Sequence, residues 1–306
     1  MWAAPHRGIT VHMGEIRVGT ASWADRMLLD SGWYPREANT PAGRLAYYAE
    51  RFDLVEADTT FYAIPPVETT TAWAHRSPAG FLFNIKAFSL FTGHPTPVTA
   101  LPRDLRPARS ADRVRPRDLS PELLDEAWAR FGDALRPLES AGKLGVVLLQ
   151  FPPWFAYGAA AKRRIAETAR RCRPARVAIE LRHASWLTPA NAVDTVEFLC
   201  REDLSFVCVD MPQGHASSLP PVLVATAEPA VMRFHGHSDA WAGGDRRDKF
   251  RYAYSDDELA AWAGRLRELA DDADQLHVIM NNCCGDQAQR DAQRLAGLLT
   301  RAAAAG

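Results

Sequence analysis

The stretch Val177–Trp186, VAIELRHASW, decides the fold, because it opens as an apolar strand and ends in polar side chains. Strand side chains alternate between two faces, so Glu180 and Arg182 share one face while the apolar positions 177, 179 and 181 share the other. At roughly 3.3 Å per residue the two charges lie about 7 Å apart. A strand that is covered on both faces should carry such charges only if they are paired or used.

Seven further segments have the same character, a short apolar run with a polar end, and helix-length segments connect most of them. Alternation of strands and helices predicts a parallel sheet, and eight such units in one chain predict a single (β/α)8 TIM-barrel-like α/β domain. We predict strands at 16–20, 54–59, 81–87, 144–151, 177–183, 205–210, 231–236 and 276–282. We predict helices at 41–52, 65–76, 121–139, 159–172, 189–202, 255–273 and 286–304, with Thr40, Ser120, Thr188 and Ser255 as N-caps.

A doubly wound open sheet is the alternative fold, but no strand is followed by a GxGxxG or Walker-type glycine loop. Residues 1–15 are expected to be an N-terminal extension and residues 16–306 the barrel domain. The connection 88–121 is rich in proline and arginine. We expect it to be a solvated loop, with a lid over the site as the alternative.

Composition limits the class of protein. The net charge is −1, so no overall field favours nucleic acid or an anionic membrane as a partner. The five cysteines include no CxxC pair, which indicates a reducing compartment rather than a disulfide framework. The first 15 residues lack the apolar core of a signal peptide, and no apolar run approaches the ~18 residues of a membrane span. A cytoplasmic protein is therefore expected.

Active sites of (β/α)8 barrels lie at the C-terminal ends of the strands, which is where the polar side chains of this chain are expected to meet. One polar strand end has an ordinary structural explanation, and a lone Glu180–Arg182 pair could be a structural ion pair. A set spread over most strands favours a ligand. The candidate catalytic residues are Glu56, Lys86, Glu180 and His235, and the candidate binding residues are Trp23, Asp58, Thr60, Tyr62, Gln150, Arg182, Trp186, Asp210, Arg233, Asn281 and Asn282.

Several chemistries remain open for this set. Flat rings at a cleft mouth can stack on sugars or bases, although each could equally plug the top of the barrel. Acid–base work by Glu56 or Glu180 against His235 needs no cofactor, and a lysine at a strand end such as Lys86 more commonly anchors an anion than forms a Schiff base. A divalent metal is an alternative, with ligands from Glu56, Glu180, His183, Asp210 and His235. We expect no metal and no cofactor, because three cationic side chains share the same strand ends.

The motifs together resemble the YecE-like family, catalogued as domain of unknown function 72. The resemblance runs from Gly19 to about Leu298 and implies a (β/α)8-like barrel with a site at the strand ends, but no settled reaction. Asp58 stands where the family usually has asparagine. The matching pieces are Gly19–Trp23 (GTASW), Glu56-x-Asp58-x-Thr60-Phe61-Tyr62, Lys86 with Thr92 and His94, Gln150-x-Pro152-Pro153, Glu180-x-Arg182-x-x-Ser185-Trp186, Arg233-x-His235-Gly236 and Asn281-Asn282. Ala21-Ser22 replaces the family's Ser-Gly, and Gly93 separates Thr92 from His94, which are adjacent in the family.

The sequence therefore predicts an enzyme of the hydrolase, lyase or isomerase class that acts on a small sugar-like or anionic molecule. Lys86, Arg182 and Arg233 would hold negative charge. A non-catalytic small-molecule or anion binding protein is one alternative, and a divalent-metal-dependent isomerase or phosphoesterase-like barrel is the other. We also expect Glu180 to be partly solvated, so that Glu180→Gln leaves the melting temperature nearly unchanged or slightly raised.

Overall fold

The computed structural model describes residues 14–107, 112–241, 243 and 246–303. Within them, eight parallel strands form a closed barrel in which each strand pairs with the next along the chain and the last pairs with the first. The predicted (β/α)8 fold is confirmed, as is the place of each strand. The strands are β1 Glu15–Ala21, β2 Leu54–Ala57, β3 Leu82–Lys86, β4 Leu144–Gln150, β5 Val177–Glu180, β6 Ser205–Asp210, β7 Ala230–Phe234 and β8 Gln275–Met280.

Helices cover the outside of the barrel, and six of the seven connections between consecutive strands contain one. The exception is the segment between β6 and β7, described throughout, which has no helix, as its proline-rich sequence predicts. The covering helices are α1 Pro41–Ala49, α2 Val67–Arg76, α3 Pro121–Ser140, α4 Ala159–Arg171, α5 Ala192–Arg201, α6 Asp256–Ala270 and α7 Gln287–Ala303. Two shorter helices span Arg26–Asp30 and Arg246–Lys249.

Capping side chains fix where several helices begin. The Thr40 hydroxyl accepts a hydrogen bond from the backbone N–H of Gly43, and Ser255 forms a capping box with Glu258. The Ser120 hydroxyl accepts a hydrogen bond from the backbone N–H of Leu123 at the start of α3, so three of the four predicted N-caps are confirmed. Thr188 was wrongly predicted to cap α5, which begins at Ala192, because a short 3-10 turn over Ala184–Leu187 comes first.

The connection 88–121 is not the solvated loop that its composition suggested. Phe88, Leu90 and Phe91 are buried, and the Phe91 ring stacks on Trp128 of α3 with ring centroids 3.6 Å apart. Two short antiparallel strands, Thr96–Pro97 and Arg113–Val114, close the connection on itself. Residues 108–111 and the predicted extension, except residues 14 and 15, lie outside the described residues. The prediction of a solvated loop was wrong for the apolar start of the connection, which packs on the helix layer, whereas Arg103, Arg113 and Arg117 further along are exposed.

The barrel interior divides into an apolar part and a polar part. Ala21, Leu54 and Ile279 form a small buried cluster of their own, separate from the large core between strands and helices. Two residues beyond Leu54 on β2, in register with Ala21 of β1, stands Glu56. Beyond this small apolar layer the interior is polar at the C-terminal ends of the strands, where the candidate site was predicted.

Candidate active site

Arg233 lies at the centre of the polar end of the barrel and joins carboxylates from two other strands. Its Nη2 atom lies 2.5 Å from Oε1 of Glu56, and its Nη1 atom donates a hydrogen bond to Oε2 of Glu180. All three side chains are buried. The guanidinium thus bridges β2 and β5 from β7, and these contacts join residues far apart in sequence.

Glu180 has a second arginine partner, because Nε of Arg182 donates to its Oε1 atom. Both carboxylate oxygens therefore accept charged hydrogen bonds. The side chain of Glu180 is fully buried, and Arg182 keeps only 10% of its side chain exposed. The expectation that Glu180 is partly solvated was wrong, since the two guanidinium groups replace water around it.

The two carboxylates differ in their proton affinity, although they share Arg233. Burial raises the pKa of Glu56 to about 7, with Arg233 opposing the rise and Asp58 adding to it. Burial also acts to raise the pKa of Glu180, but Arg182 and Arg233 together hold it well below its usual range. The two carboxylates on Arg233 therefore have pKa values shifted in opposite directions.

His235 stands beside Glu180, with its ring held by Asn281. The Nδ2 atom of Asn281 lies 2.8 Å from Nδ1 of His235, so the ring nitrogen accepts the hydrogen bond and a neutral ring carries its hydrogen on Nε2. That Nε2 atom lies 3.3 Å from Oε1 of Glu180 and makes no hydrogen bond of good geometry to a described residue. Burial and the charge of Arg182 lower the pKa of His235 to about 3, so the ring is neutral at physiological pH.

Lys86 and Asp58 form a second charged pair near the same end of the barrel. The Nζ atom of Lys86 lies 3.0 Å from Oδ1 of Asp58 and 4.9 Å from the ring centroid of Phe61. The Thr60 hydroxyl bonds the backbone carbonyls of Ala57 and Lys86, which fixes the turn after β2 rather than presenting a group to a ligand. The pair is partly accessible, with 10% and 18% of the two side chains exposed.

Two predicted binding residues face away from the barrel interior. Asp210 is in register with Phe234, not with Arg233, so it points towards the helices, where the Tyr254 hydroxyl donates to it at 2.6 Å. Asn282 likewise donates to Asp291 of α7 at 2.7 Å. The predictions that Asp210 and Asn282 line the site were wrong, because each lies one residue from an inward-facing position.

The predicted tryptophans do not offer ring faces at the mouth. Trp186 is fully buried and donates to the carbonyl of Phe155 at 2.7 Å, while Trp23 packs edge to face against Trp73. Both rings pack in the core, which was the ordinary alternative. The exposed rings near the charged groups are Tyr62 and Trp154, with 46% and 55% of their surfaces exposed.

Residues that the sequence analysis did not assign to the site also touch it. The Trp241 ring lies 5.4 Å from the guanidinium carbon of Arg182 and 6.0 Å from the His235 ring. Predicting the Trp241 contact would have needed the path of the loop after β7, which strand alternation does not supply. Gln150 is in register with Glu180 and so faces inward as predicted.

A cavity of about 500 Å³ adjoins this site on the side of β1. Its wall includes Asp58, Trp23 and Trp73, together with Arg44 of α1 and Arg76 of α2. Ser22, also in this wall, has a φ of 73°, a backbone conformation that non-glycine residues seldom adopt. Such strain is often found next to functional sites.

The five residues considered as metal ligands do not form one cluster, because only Glu56, Glu180 and His235 lie near one another. Glu56 and Glu180 bond Arg233, whereas His183 bonds Ser185 and Asp210 bonds Tyr254. Among the residues that the structure describes, no group of three or more His, Cys, Asp or Glu side chains could hold a metal ion. No described helix is long and apolar enough to cross a membrane.

Comparison with known proteins agrees with the resemblance seen in the motifs. A chain from Bacillus subtilis (strain 168), UPF0759 protein YunF, is 30% identical over 298 residues, which cover 93% of this chain and 94% of that protein. A crystal structure of a DUF72 family protein from Enterococcus faecalis matches with a TM-score of 0.76 at 24% identity, covering 93% of this chain and 95% of that one. One from Thermotoga maritima matches with a TM-score of 0.75 at 24% identity, covering 94% and 99%. The two structures support the barrel fold. The family model described as protein of unknown function DUF72 matches residues 17–305, and the chain belongs to this family.

Proposed function

We propose that the protein is an enzyme that moves protons to and from a small polar substrate at the C-terminal end of the barrel. The observation that carries the proposal is the pair of buried carboxylates on Arg233, whose pKa values are driven apart. Acid–base enzymes commonly use two carboxylates whose environments give them different protonation states at the same pH. A pKa near the working pH suits a general acid or base.

The roles follow from these environments. Glu56, with a pKa of about 7, is the group that donates and accepts the proton. Glu180 remains ionised and orients Arg182, while Asn281 orients the His235 ring beside it. His235 is neutral and presents a ring N–H as a hydrogen-bond donor rather than as an acid. Lys86, with part of its side chain accessible, supplies positive charge to the substrate.

The substrate class is a small sugar-like or anionic molecule. Four aromatic rings form a row along the rim. Each contacts the next in the order Tyr62, Phe61, His94 and Trp154. The planes of neighbouring rings cross at 81°, 79° and 65°, so no neighbouring pair is parallel enough to clamp a flat base between its rings. Crossed rings with polar edges suit a sugar, which presents C–H groups and hydroxyls together.

The test is a turnover screen of the full chain against sugar phosphates, sugar acids and nucleotides. We expect turnover of one class, with a pH profile that changes near pH 7, and loss of turnover in Glu56→Gln with binding retained. Glu126→Gln is the control, because Glu126 pairs with Arg130 on the outer surface of α3. A Glu56→Gln variant with wild-type rates would remove Glu56 from the reaction.

A non-catalytic binding protein is the second candidate. The complete pairing of Glu180 favours it, because a carboxylate held by two arginines is a fixed structural element of a pocket. Ligand-dependent stabilisation without turnover of any compound would select this alternative. We also propose a reducing, cytoplasmic setting, which the five free cysteines support.

A further inference from the structure

The guanidinium of Arg182 is held in place on two sides. Its Nε atom donates to Glu180, and the Trp241 ring lies 5.4 Å from its central carbon. The two terminal nitrogens, Nη1 and Nη2, make no hydrogen bond to a described residue and are not enclosed, since part of the side chain is accessible. A residue that is nine-tenths buried thus presents a fixed, two-pronged donor edge with nothing bound to it.

Lys86 supplies a second positive charge near this edge. Lys86 ends β3 and Arg182 comes shortly after the last residue of β5, so both lie at the C-terminal end of the barrel. The Lys86 ammonium lies 4.9 Å from the Phe61 ring, and that ring lies 5.1 Å from the His94 ring. Burial of His94 lowers its pKa to about 4, and the charges of Lys86 and Arg182 add to the effect. The Lys86 ammonium carries three N–H donors, and its described ionic partner is Asp58. At least one of these donors is left for a ligand between Lys86 and Arg182.

The charges of the site limit what this edge can bind. Three cationic side chains stand against three carboxylates, and each carboxylate already contacts a cation, in the pairs Glu56–Arg233, Glu180–Arg182, Glu180–Arg233 and Asp58–Lys86. The cluster is neutral when Glu56 is ionised, so a second negative charge on a ligand adds repulsion from the carboxylates. A singly charged, planar oxyanion matches both the geometry of a guanidinium edge and this balance.

We propose that the terminal nitrogens of Arg182 and the ammonium of Lys86 together bind a carboxylate group of the substrate. The proposal rests on the proposed function in that the bound carboxylate would hold the substrate beside Glu56. It names the substrate class as a carboxylic acid in preference to a phosphate ester. Arg233 takes no part, because both of its terminal nitrogens are occupied by Glu56 and Glu180.

The experiment is calorimetric titration of the full chain with acetate, D-glucuronate and inorganic phosphate at constant ionic strength. We expect both carboxylates to bind and phosphate to bind more weakly. Replacing Arg182 by lysine keeps the charge but removes the two-pronged edge, and should weaken carboxylate binding by about tenfold or more, since a hydrogen bond to a charged group contributes that much. Lys86→Gln should weaken it to a similar extent.

Arg265→Lys is the matched control. Arg265 also lies over a tryptophan, 4.0 Å from the Trp262 ring, and bonds one carbonyl, but on the outside of the barrel. Its variant should bind carboxylates as the wild type does. If Arg182→Lys fails to fold, the Lys86→Gln titration decides, because Lys86 is outside the Glu180 network.

The possible outcomes separate this inference from the proposed function. Absence of carboxylate binding, tighter binding of phosphate, or unchanged binding in both Arg182→Lys and Lys86→Gln overturns the carboxylate subsite. Carboxylate binding without turnover of any compound supports the subsite and removes the acid–base reaction. Turnover of neutral compounds without carboxylate binding supports the acid–base reaction and overturns the carboxylate subsite.

Discussion

The Nη2 atom of Arg233 lies 2.5 Å from Oε1 of Glu56, although 177 residues separate them in the chain. The other terminal nitrogen of Arg233 bonds Glu180, so one guanidinium joins three strands at the polar end of the barrel. A buried charge network of this kind stabilises the barrel only while every member is paired. The same contacts that prepare Glu56 for proton transfer therefore make the site sensitive to substitution.

Glu180→Gln should lower the free energy of unfolding by about 3–5 kcal/mol, because it leaves buried arginine charge without its carboxylate. The burial of Glu180 thus replaces the expectation, drawn from the sequence, of a nearly unchanged melting temperature. Chemical denaturation at pH 7 measures the change. Asp133→Asn, which breaks a surface pair with Arg136, is the control and should change stability by no more than about 1 kcal/mol. A melting curve of Glu180→Gln that overlays the wild type would contradict the structural role.

His235 should remain neutral over the whole range in which the protein is folded, with its hydrogen on Nε2. Burial lowers its pKa to about 3, and Asn281 bonds its Nδ1 atom. Nitrogen chemical shifts of the labelled ring, recorded from pH 8 downwards, check both points. Asn281→Asp adds a negative charge beside the ring and should raise the pKa. A wild-type titration near pH 6.5 would show that the ring is more solvated than its burial implies.

His235 also has an effect on stability that follows from the sign of this shift. Its folded pKa of about 3 is below the ordinary value of 6.5, so at pH values between the two the unfolded chain binds a proton that the folded chain does not. Stability from this group is therefore lost as pH falls through that window. His235→Asn should reduce the loss on acidification relative to the wild type, as measured by denaturation at pH 7 and pH 5.

Purified protein should contain no stoichiometric zinc, manganese or iron. The reason is that Arg233 already holds Glu56 and Glu180, and that the other residues first considered as ligands bond different partners. Elemental analysis before and after dialysis against a chelator tests this, with the melting temperature expected to be the same in both samples. A metal at one equivalent per chain, with a lower melting temperature after chelation, would contradict it.

The fold could be predicted because its signals are local. Each barrel strand is a mostly apolar segment of four to seven residues, and the alternation of side chains determines which of them share a face. Glu180 and Arg182 were assigned to one face by alternation, and the structure has them bonded to each other. Asp210 and Asn282 were wrongly assigned to the site. In each case the preceding residue, Val209 or Asn281, is the one that faces inward.

The partners within the site could not be predicted from the sequence. Strand ends indicate which side chains meet, but not that Arg233 spans from Glu56 to Glu180 or that Trp241 covers Arg182. Those contacts depend on the stagger of the strands and on the path of loops that follow no periodic pattern. The stacking of Phe91 on Trp128 could not be predicted either, because Phe91 lies in a connection whose overall composition indicated a solvated loop.

Glu56 should make the free energy of unfolding depend on pH. Its folded pKa of about 7 is above the ordinary value of 4.5, so between these values the folded chain holds a proton that the unfolded chain has lost. This contribution to stability is fully present below about pH 4.5 and is lost as pH rises through about 7. Glu56→Gln cannot titrate and lacks the loss.

The measured quantity is the free energy of unfolding of Glu56→Gln minus that of the wild type. It should rise between pH 4.5 and 7 and level off above, because all other titrating groups cancel in the difference to a first approximation. The difference for Glu126→Gln, a surface residue of α3, should be flat over the same range. A difference that is flat or falls for Glu56→Gln would mean that Arg233 holds Glu56 ionised at neutral pH, and Glu56 would then lose its place as the proton-exchanging group.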